Sequence, residues 1–335
     1  MNTMLAFKDI TTLRVGGTIS HFEKIHQMDE CISFVKELDE KGSEVLILGG
    51  GSNILAEDKV FEGTVVVPTF NTIDMEDDRG RVRVTVDAGV VWDDLVQFSV
   101  DHDLWGIENL SAIPGNVGAA PMQNIGAYGV DVSETIEWVE VYDRTLKTKK
   151  KLSNTELRFG YRNSLLKEER GRYIVLRVSF MLSKNAQPKL SYKDLALRFG
   201  GSTTDVPLVA IREAVIDIRS GKFPSLEEYG TAGSFFLNPI LSPEEGVLFK
   251  STYPDAPQFQ VENGVKVSLA WILDHVVSAK GMRVGGAFVW DKQPLVIATN
   301  TNATGNDVRT LMSELQKKVF EATNIHIVPE VYVMQ

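Results

Sequence analysis

Ser111-Ala-Ile-Pro-Gly-Asn-Val-Gly-Ala-Ala-Pro-Met-Gln-Asn-Ile-Gly-Ala-Tyr-Gly129 is the stretch whose reading decides the fold. Gly115, Gly118, Gly126 and Gly129 fall inside it and charged residues are absent, a composition that makes a poor helix and a poor central strand. It reads as an ordered loop whose amides wrap a large planar or phosphorylated ligand; an irregular connection through the core is the plainer alternative. A second glycine cluster lies upstream. Residues 44–48 form a short apolar strand that runs straight into Gly49-Gly-Gly-Ser-Asn53. Three glycines there let the backbone approach a ligand and aim successive N–H groups at one point, as a pyrophosphate requires. The cluster is neither GxGxxG nor a loop with a Walker lysine, so the standard Rossmann and P-loop readings fail. Taken alone, a tight structural turn explains it equally well.

Outward from these loops the chain mixes helices and strands. Helical spacing predicts a helix over 28–38 closed near Gly42. Residues 63–67 read as a strand, period-two alternation predicts another over 81–87, and 91–100 reads as a short helix. The middle is richer in strands, with 136–143 and 173–182 the clearest and a basic solvated hairpin over 144–151 between them. In the last third, a helix over 207–219 is opened by Thr204 or Asp205 and stopped by Gly221. Further helices are expected over 267–280 and 306–323, and strands over 294–299 and 325–333. The class is α+β with at least two lobes.

Composition narrows the function. A chain of 335 residues with 43% hydrophobic and 24% charged residues is an ordinary globular protein of two or three domains. Its net charge of −10 speaks against nucleic acid or an anionic membrane as partner, though not against a small anion met by local Arg and Lys. No apolar run is long enough to insert in a membrane, and the first fourteen residues carry Lys8, Asp9 and Arg14 without a secretory apolar core, so a cytoplasmic location is expected. Cys31 falls with Ile32, Val35 and Leu38 on a buried helical face and reads as a core thiol. The five histidines form no HxH or HExxH motif, and no metal is expected.

Read together, the two glycine segments resemble the FAD-binding domain of the MurB reductases. Leu48-Gly-Gly-Gly-Ser-Asn53 is similar to that family's first flavin loop, and 111–118 with 123–129 to its second. Thr12-Leu-Arg-Val-Gly-Gly17 is similar to the opening segment, Phe159-Gly-Tyr-Arg-Asn-Ser164 to the substrate segment, Gly233-Ser-Phe-Phe-Leu-Asn-Pro239 to the C-terminal catalytic one, and Pro329-Glu330-Val331 completes the series in the family's order.

The resemblance implies a vanillyl-alcohol-oxidase-like (VAO/PCMH) FAD domain over 1–200, divided near residue 68, a smaller α+β substrate domain over 201–325, and a C-terminal strand over 326–335 that carries Glu330 back toward the FAD domain. It implies FAD and NADPH as cofactors, and as partner UDP-N-acetylglucosamine enolpyruvate, reduced for peptidoglycan synthesis by hydride from flavin N5 and a proton from Ser234. Leu48, Gly49, Gly50, Gly51, Ser52, Asn53, Ile113, Pro114, Gly115, Gly118, Ala119, Asn124, Gly126, Ala127, Tyr128 and Gly129 match the cofactor contacts. Arg162 matches the group that holds the substrate carboxylate, and Glu330 the second acid. Lys222, Asn238, Tyr192, Tyr253 and Lys266 match substrate or nucleotide contacts. The two tyrosine segments imply type I, and a monomer is expected. His275 stands where relatives carry an amide, and Leu237 where a basic residue is frequent.

Two other readings share some of these features. An oxidase on the same flavin fold is one, but neither glycine segment holds the His or Cys needed for covalent flavin at that place. A silent nucleotide-binding protein is the other, and it would be expected to lose Arg162, Ser234 and Glu330.

Overall fold

Alternation in Arg81-Val-Arg-Val-Thr-Val-Asp87 sends Val82, Val84 and Val86 to one face, and all three are buried. This strand is part of a five-stranded antiparallel sheet in the order Thr148–Ser153, Ile136–Asp143, Tyr173–Ser183, Arg81–Asp87, Ile73–Asp78. The computed structural model describes residues 5–78, 80–201 and 206–334.

The chain divides into two compact units that interleave along the sequence. One comprises 19–50 and 61–219; the other comprises 1–18, 51–60 and 220–335. The expected linear division at 200 and 326 follows chain order, whereas these units exchange segments at 18, 50, 60 and 219.

In the first unit, Ile19–Ile25, Phe61–Pro68 and Val45–Ile47 form a parallel sheet with Phe61–Pro68 at its centre. The helix Met28–Glu40 contacts that sheet and buries Cys31 and Val35. It ends in a left-handed Gly42, with Ser43 N–H returning to the Leu38 carbonyl. The antiparallel sheet follows from Ile73 onward. Trp92, fully buried, opens the helix Trp92–Asp101, packs edge-on to Phe180 at 6.0 Å and donates its indole N–H to the Leu110 carbonyl at 2.8 Å. The basic stretch is a turn leading into Thr148–Ser153. The buried Asp143 carboxylate accepts the N–H groups of Thr145 and Leu146 and pairs with Arg172 and Lys150.

In the second unit, an antiparallel sheet runs Gly230–Ser234, Val296–Thr299, Ala287–Val289, Arg283–Val284, with the helix Gly305–Thr323 against it. Val308, Leu311, Leu315 and Val319 line the buried face of that helix, and the Thr304 hydroxyl caps it. A smaller sheet, Ile240–Leu241, Gly264–Val267, Gln258–Val261, packs under the helix Pro243–Thr252.

Three expectations change. The helix expected over 267–280 is a single α-turn, Leu269–Trp271, that passes into a π-turn, Ile272–Val276. Val265 and Val267 belong instead to a strand, as β-branched residues at period two favour. Of the strand expected over 325–333 only Tyr332–Val333 forms a strand, paired with Ile54–Leu55, while Pro329 makes an isolated bridge with Phe236 and, lacking an N–H, does not extend it into a ladder. The helix expected to stop at Gly221 runs Leu208–Lys222, since one glycine costs a helix only about 1 kcal/mol. Its expected opening at Thr204 or Asp205 lies outside the described residues.

Candidate active site

The two glycine loops meet side by side in the first unit. A methyl added at Gly49 would lie 3.5 Å from Ala119 Cβ, and one at Gly50 would lie 2.8 Å from both Gly115 Cα and Asn116 Oδ1. Only glycine fits at Gly50, because the second loop's backbone occupies the space. The N–H groups of Gly49 and Gly50 make no hydrogen bond among the described residues, leaving donors of the kind a diphosphate accepts. Gly51, Ser52 and Asn53 fall in the other unit, where Gly51 takes a positive φ of 61° and its carbonyl accepts the Thr12 N–H.

Backbone strain concentrates in the second loop. Ala112, Asn124 and Tyr128 adopt the left-handed conformation, as does Arg162, at φ of 57°, 47°, 50° and 52°. Non-glycine residues enter this region at a cost and are retained where neighbours over-determine them. Those neighbours are visible. The Asp93 carboxylate accepts the Ala112 N–H at 2.6 Å, and Arg219 Nε donates to the Ala112 carbonyl at 3.2 Å. Asn109 donates to the Tyr128 carbonyl at 2.9 Å, while Asn124 reaches the Gly160 carbonyl at 3.0 Å and receives the Ser133 N–H at 3.0 Å. Tyr128 and Gly129, both at positive φ, form the two-residue turn of a hairpin pairing Gly126-Ala127 with Val130-Asp131. Burial pushes the Tyr128 hydroxyl up to about 12, and burial likewise lowers Arg219 from its ordinary value.

Arg162 sits against this hairpin, its side chain 17% exposed. Its Nη1 donates to the Asn124 carbonyl at 3.2 Å and pairs with Asp131 at 3.0 Å, and its Nη2 donates to the Gly126 carbonyl. The ring of Tyr192 meets Tyr128 edge-on at 5.3 Å and is 44% exposed.

Ser234 and Glu330 come together in the second unit. The register of Gly230–Ser234 against Val296–Thr299 slips between Thr231 and Ser234, and Gly233 takes a φ of 75°. A bulge of this kind re-aims the next side chain, here Ser234. The following residues are clamped on both sides: Phe235 N–H bonds the Leu295 carbonyl at 2.7 Å, and Glu330 N–H bonds the Phe235 carbonyl at 2.8 Å. Asn53 Nδ2 reaches the Glu330 carbonyl at 3.4 Å. Both Ser234 and Glu330 are half-buried.

Other expected residues of this unit have local work. Asn238 Oδ1 accepts the Leu269 N–H at 3.0 Å, fixing the start of the α/π segment. The Tyr253 hydroxyl donates to the Ala322 carbonyl at 3.0 Å, and its ring adjoins Phe249 and Trp271. Lys266 lies between Ile240 and Phe259 in the small sheet, and Lys222 is the last residue of its helix.

Residues 20–148 match a family model described as an FAD binding domain, and residues 225–334 match the C-terminal domain of UDP-N-acetylenolpyruvoylglucosamine reductase. The reductase of that name from Thermobifida fusca is 39% identical over 343 residues, covering 96% of this chain and 94% of the relative. That of Neisseria gonorrhoeae is 38% identical over 311 residues, covering 91% and 89%. The crystal structure of UDP-N-acetylenolpyruvylglucosamine reductase (MurB) from Thermus caldophilus superposes with a TM-score of 0.70 at 25% identity, covering 99% of this chain and 98% of that one. This chain belongs to the UDP-N-acetylenolpyruvoylglucosamine reductase family.

As a member of the reductase family it is an FAD-binding oxidoreductase. The loop geometry fits that cofactor: the lining is small and uncharged, and glycine is required where the loops touch. Several residues behind the loops were not singled out from sequence in this reductase: Asp93, Asn109, Asp131, Arg212 and Arg219. One signal was present for two of them. Arg212 and Arg219 stand seven apart on a helix face shared with Leu208 and Val215, a place where charge signals a fixed partner. Among the described residues of this reductase no cluster of His, Cys, Asp and Glu could hold a metal, and no helix is long and apolar enough to cross a membrane.

Proposed function

We propose that this chain reduces UDP-N-acetylglucosamine enolpyruvate to UDP-N-acetylmuramate with NADPH, in peptidoglycan precursor synthesis, as a cytoplasmic monomer of the family's type I. The observation that carries this reading is the fixed Arg162 guanidinium beside a glycine-lined, uncharged cradle. In this reading residues 1–200 serve FAD, 201–325 serve the substrate, and 326–335 bring Glu330 into place.

The glycine loops would hold FAD, which, once reduced by NADPH, would supply the hydride that the alkene needs. Arg162 binds the substrate carboxylate and stabilises the negative charge that spreads onto it and the adjoining carbon, for which a planar, permanently charged guanidinium is suited. Ser234 donates its hydroxyl proton to that adjoining carbon. A hydroxyl is a weak acid, so Glu330 and cationic neighbours are needed to ease that transfer. Lys222 and Lys266 supply the positive charge that a diphosphate needs in an acidic protein, and Tyr192, Tyr253 and Asn238 complete the substrate contacts.

The test is a two-step stopped-flow experiment on the purified holoenzyme. Yellow absorbance should bleach with NADPH and return on adding the enolpyruvyl UDP-sugar without oxygen. Colour that returns only with oxygen would identify an oxidase and overturn the reading.

A further inference from the structure

Gly126 is a glycine for a reason separate from cofactor binding. It pairs with Asp131 across the Tyr128-Gly129 turn. A methyl built on Gly126 would overlap the Asp131 carboxylate oxygen and lie 2.7 Å from Arg162 Nη1. The Asp131–Arg162 ion pair therefore passes over the bare Cα of Gly126, at 3.0 Å between Oδ1 and Nη1. Asp131 is the N-cap residue of the short turn Val132–Glu134, and Glu134 Oε1 accepts its N–H at 3.0 Å, which fixes the backbone beneath that carboxylate. On its other side the guanidinium meets two main-chain carbonyls, of Asn124 and Gly126, and the Arg162 carbonyl receives Lys167 Nζ at 2.8 Å. The cation is thus fixed by one carboxylate and two main-chain carbonyls of the second glycine loop.

We propose that Asp131 is a positioning residue: through the gap left by Gly126 it sets the aim of the Arg162 guanidinium that meets the substrate's carboxylate. This rests on the reading of Arg162 given above. Asp131 acts on orientation. It also offsets the cation's charge, so its removal leaves a stronger but misdirected attraction for an anion.

The experiment is stopped-flow on FAD-loaded Asp131→Asn, with substrate binding to the oxidised enzyme followed by flavin absorbance. Reoxidation of NADPH-reduced flavin by the enolpyruvyl UDP-sugar should slow about tenfold or more, while substrate Kd stays equal or falls and reduction by NADPH keeps its rate. Gly126→Ala, which drives a methyl into the Asp131–Arg162 pair, should slow the same reoxidation step. In a double-mutant cycle, Asp131→Asn should add little to Arg162→Lys. Equal slowing of both half-reactions, or a weaker Kd at unchanged rate, would overturn the proposal. Arg162→Lys with normal reoxidation would instead remove the role of Arg162 itself. Impaired Arg162→Lys beside a normal Asp131→Asn would remove only that of Asp131.

Discussion

Asp93 and Arg212, 119 residues apart in the chain, meet in a two-point ion pair with both Nη···Oδ distances at 2.8 Å. The same carboxylate holds the N–H of strained Ala112 at the mouth of the second glycine loop. One acidic residue thereby ties the helix Leu208–Lys222 to the cofactor cradle. Fork-to-fork pairing of this kind is strong and directional.

Burial alone would raise the Asp93 carboxyl, but Arg212 and the Ala112 N–H together hold it below its ordinary value. A carboxyl lowered on folding contributes stability that is present above the unfolded pKa of about 4 and lost as pH falls further. Asp93→Asn leaves the buried Arg212 short of a partner and should cost about 1–3 kcal/mol. Denaturant melts and FAD titrations should show weaker cofactor retention, and the acid-side loss of stability should be shallower than in the parent. Unchanged FAD affinity would refute the link to the loop.

Ser234 is tested through the two half-reactions. Ser234→Ala removes one hydroxyl from a bulge whose backbone is clamped on both sides, so the fold should hold. Flavin reduction by NADPH should stay normal, and reoxidation by the enolpyruvyl substrate should fall by about two orders of magnitude or more, the scale of a lost general acid. Equal impairment of both halves would reject the proton-donor role.

Gly50→Ala probes the contact between the loops. A methyl there meets the Gly115 backbone as well as the Asn116 side chain, so one loop must move. The protein should fold yet lose FAD on gel filtration, and added FAD should restore colour only in excess. Full retention of flavin would show that the loops yield without consequence.

Cys31 is fully buried, and burial pushes its thiol up to about 11. Thiol reagents at pH 8 should label the native chain far more slowly than the denatured one. Because the unfolded thiol ionises first as pH rises, stability should decline above about pH 9. Rapid labelling of the native protein would contradict the buried placement.

Local pattern by itself determined much of this protein. Strand 81–87 stands as period-two alternation requires, 136–143 is a strand as expected, and the helix Met28–Glu40 begins where its apolar spacing begins. The glycine loops were legible because close backbone approach restricts a position such as Gly50 to glycine. Tertiary structure decided what local pattern could not. Val267 joined a strand because Gln258 pairs with it in the small sheet, and residues 272–276 closed a π-turn through local hydrogen bonds such as Val277 N–H to the Ile272 carbonyl. Segments 1–18 and 51–60 packed with the C-terminal third, and Asp93, Asp131, Arg212 and Arg219 came to brace the second glycine loop and Arg162. Such contacts join residues far apart in sequence, and their energy exists only once the chain has folded them within a few ångströms.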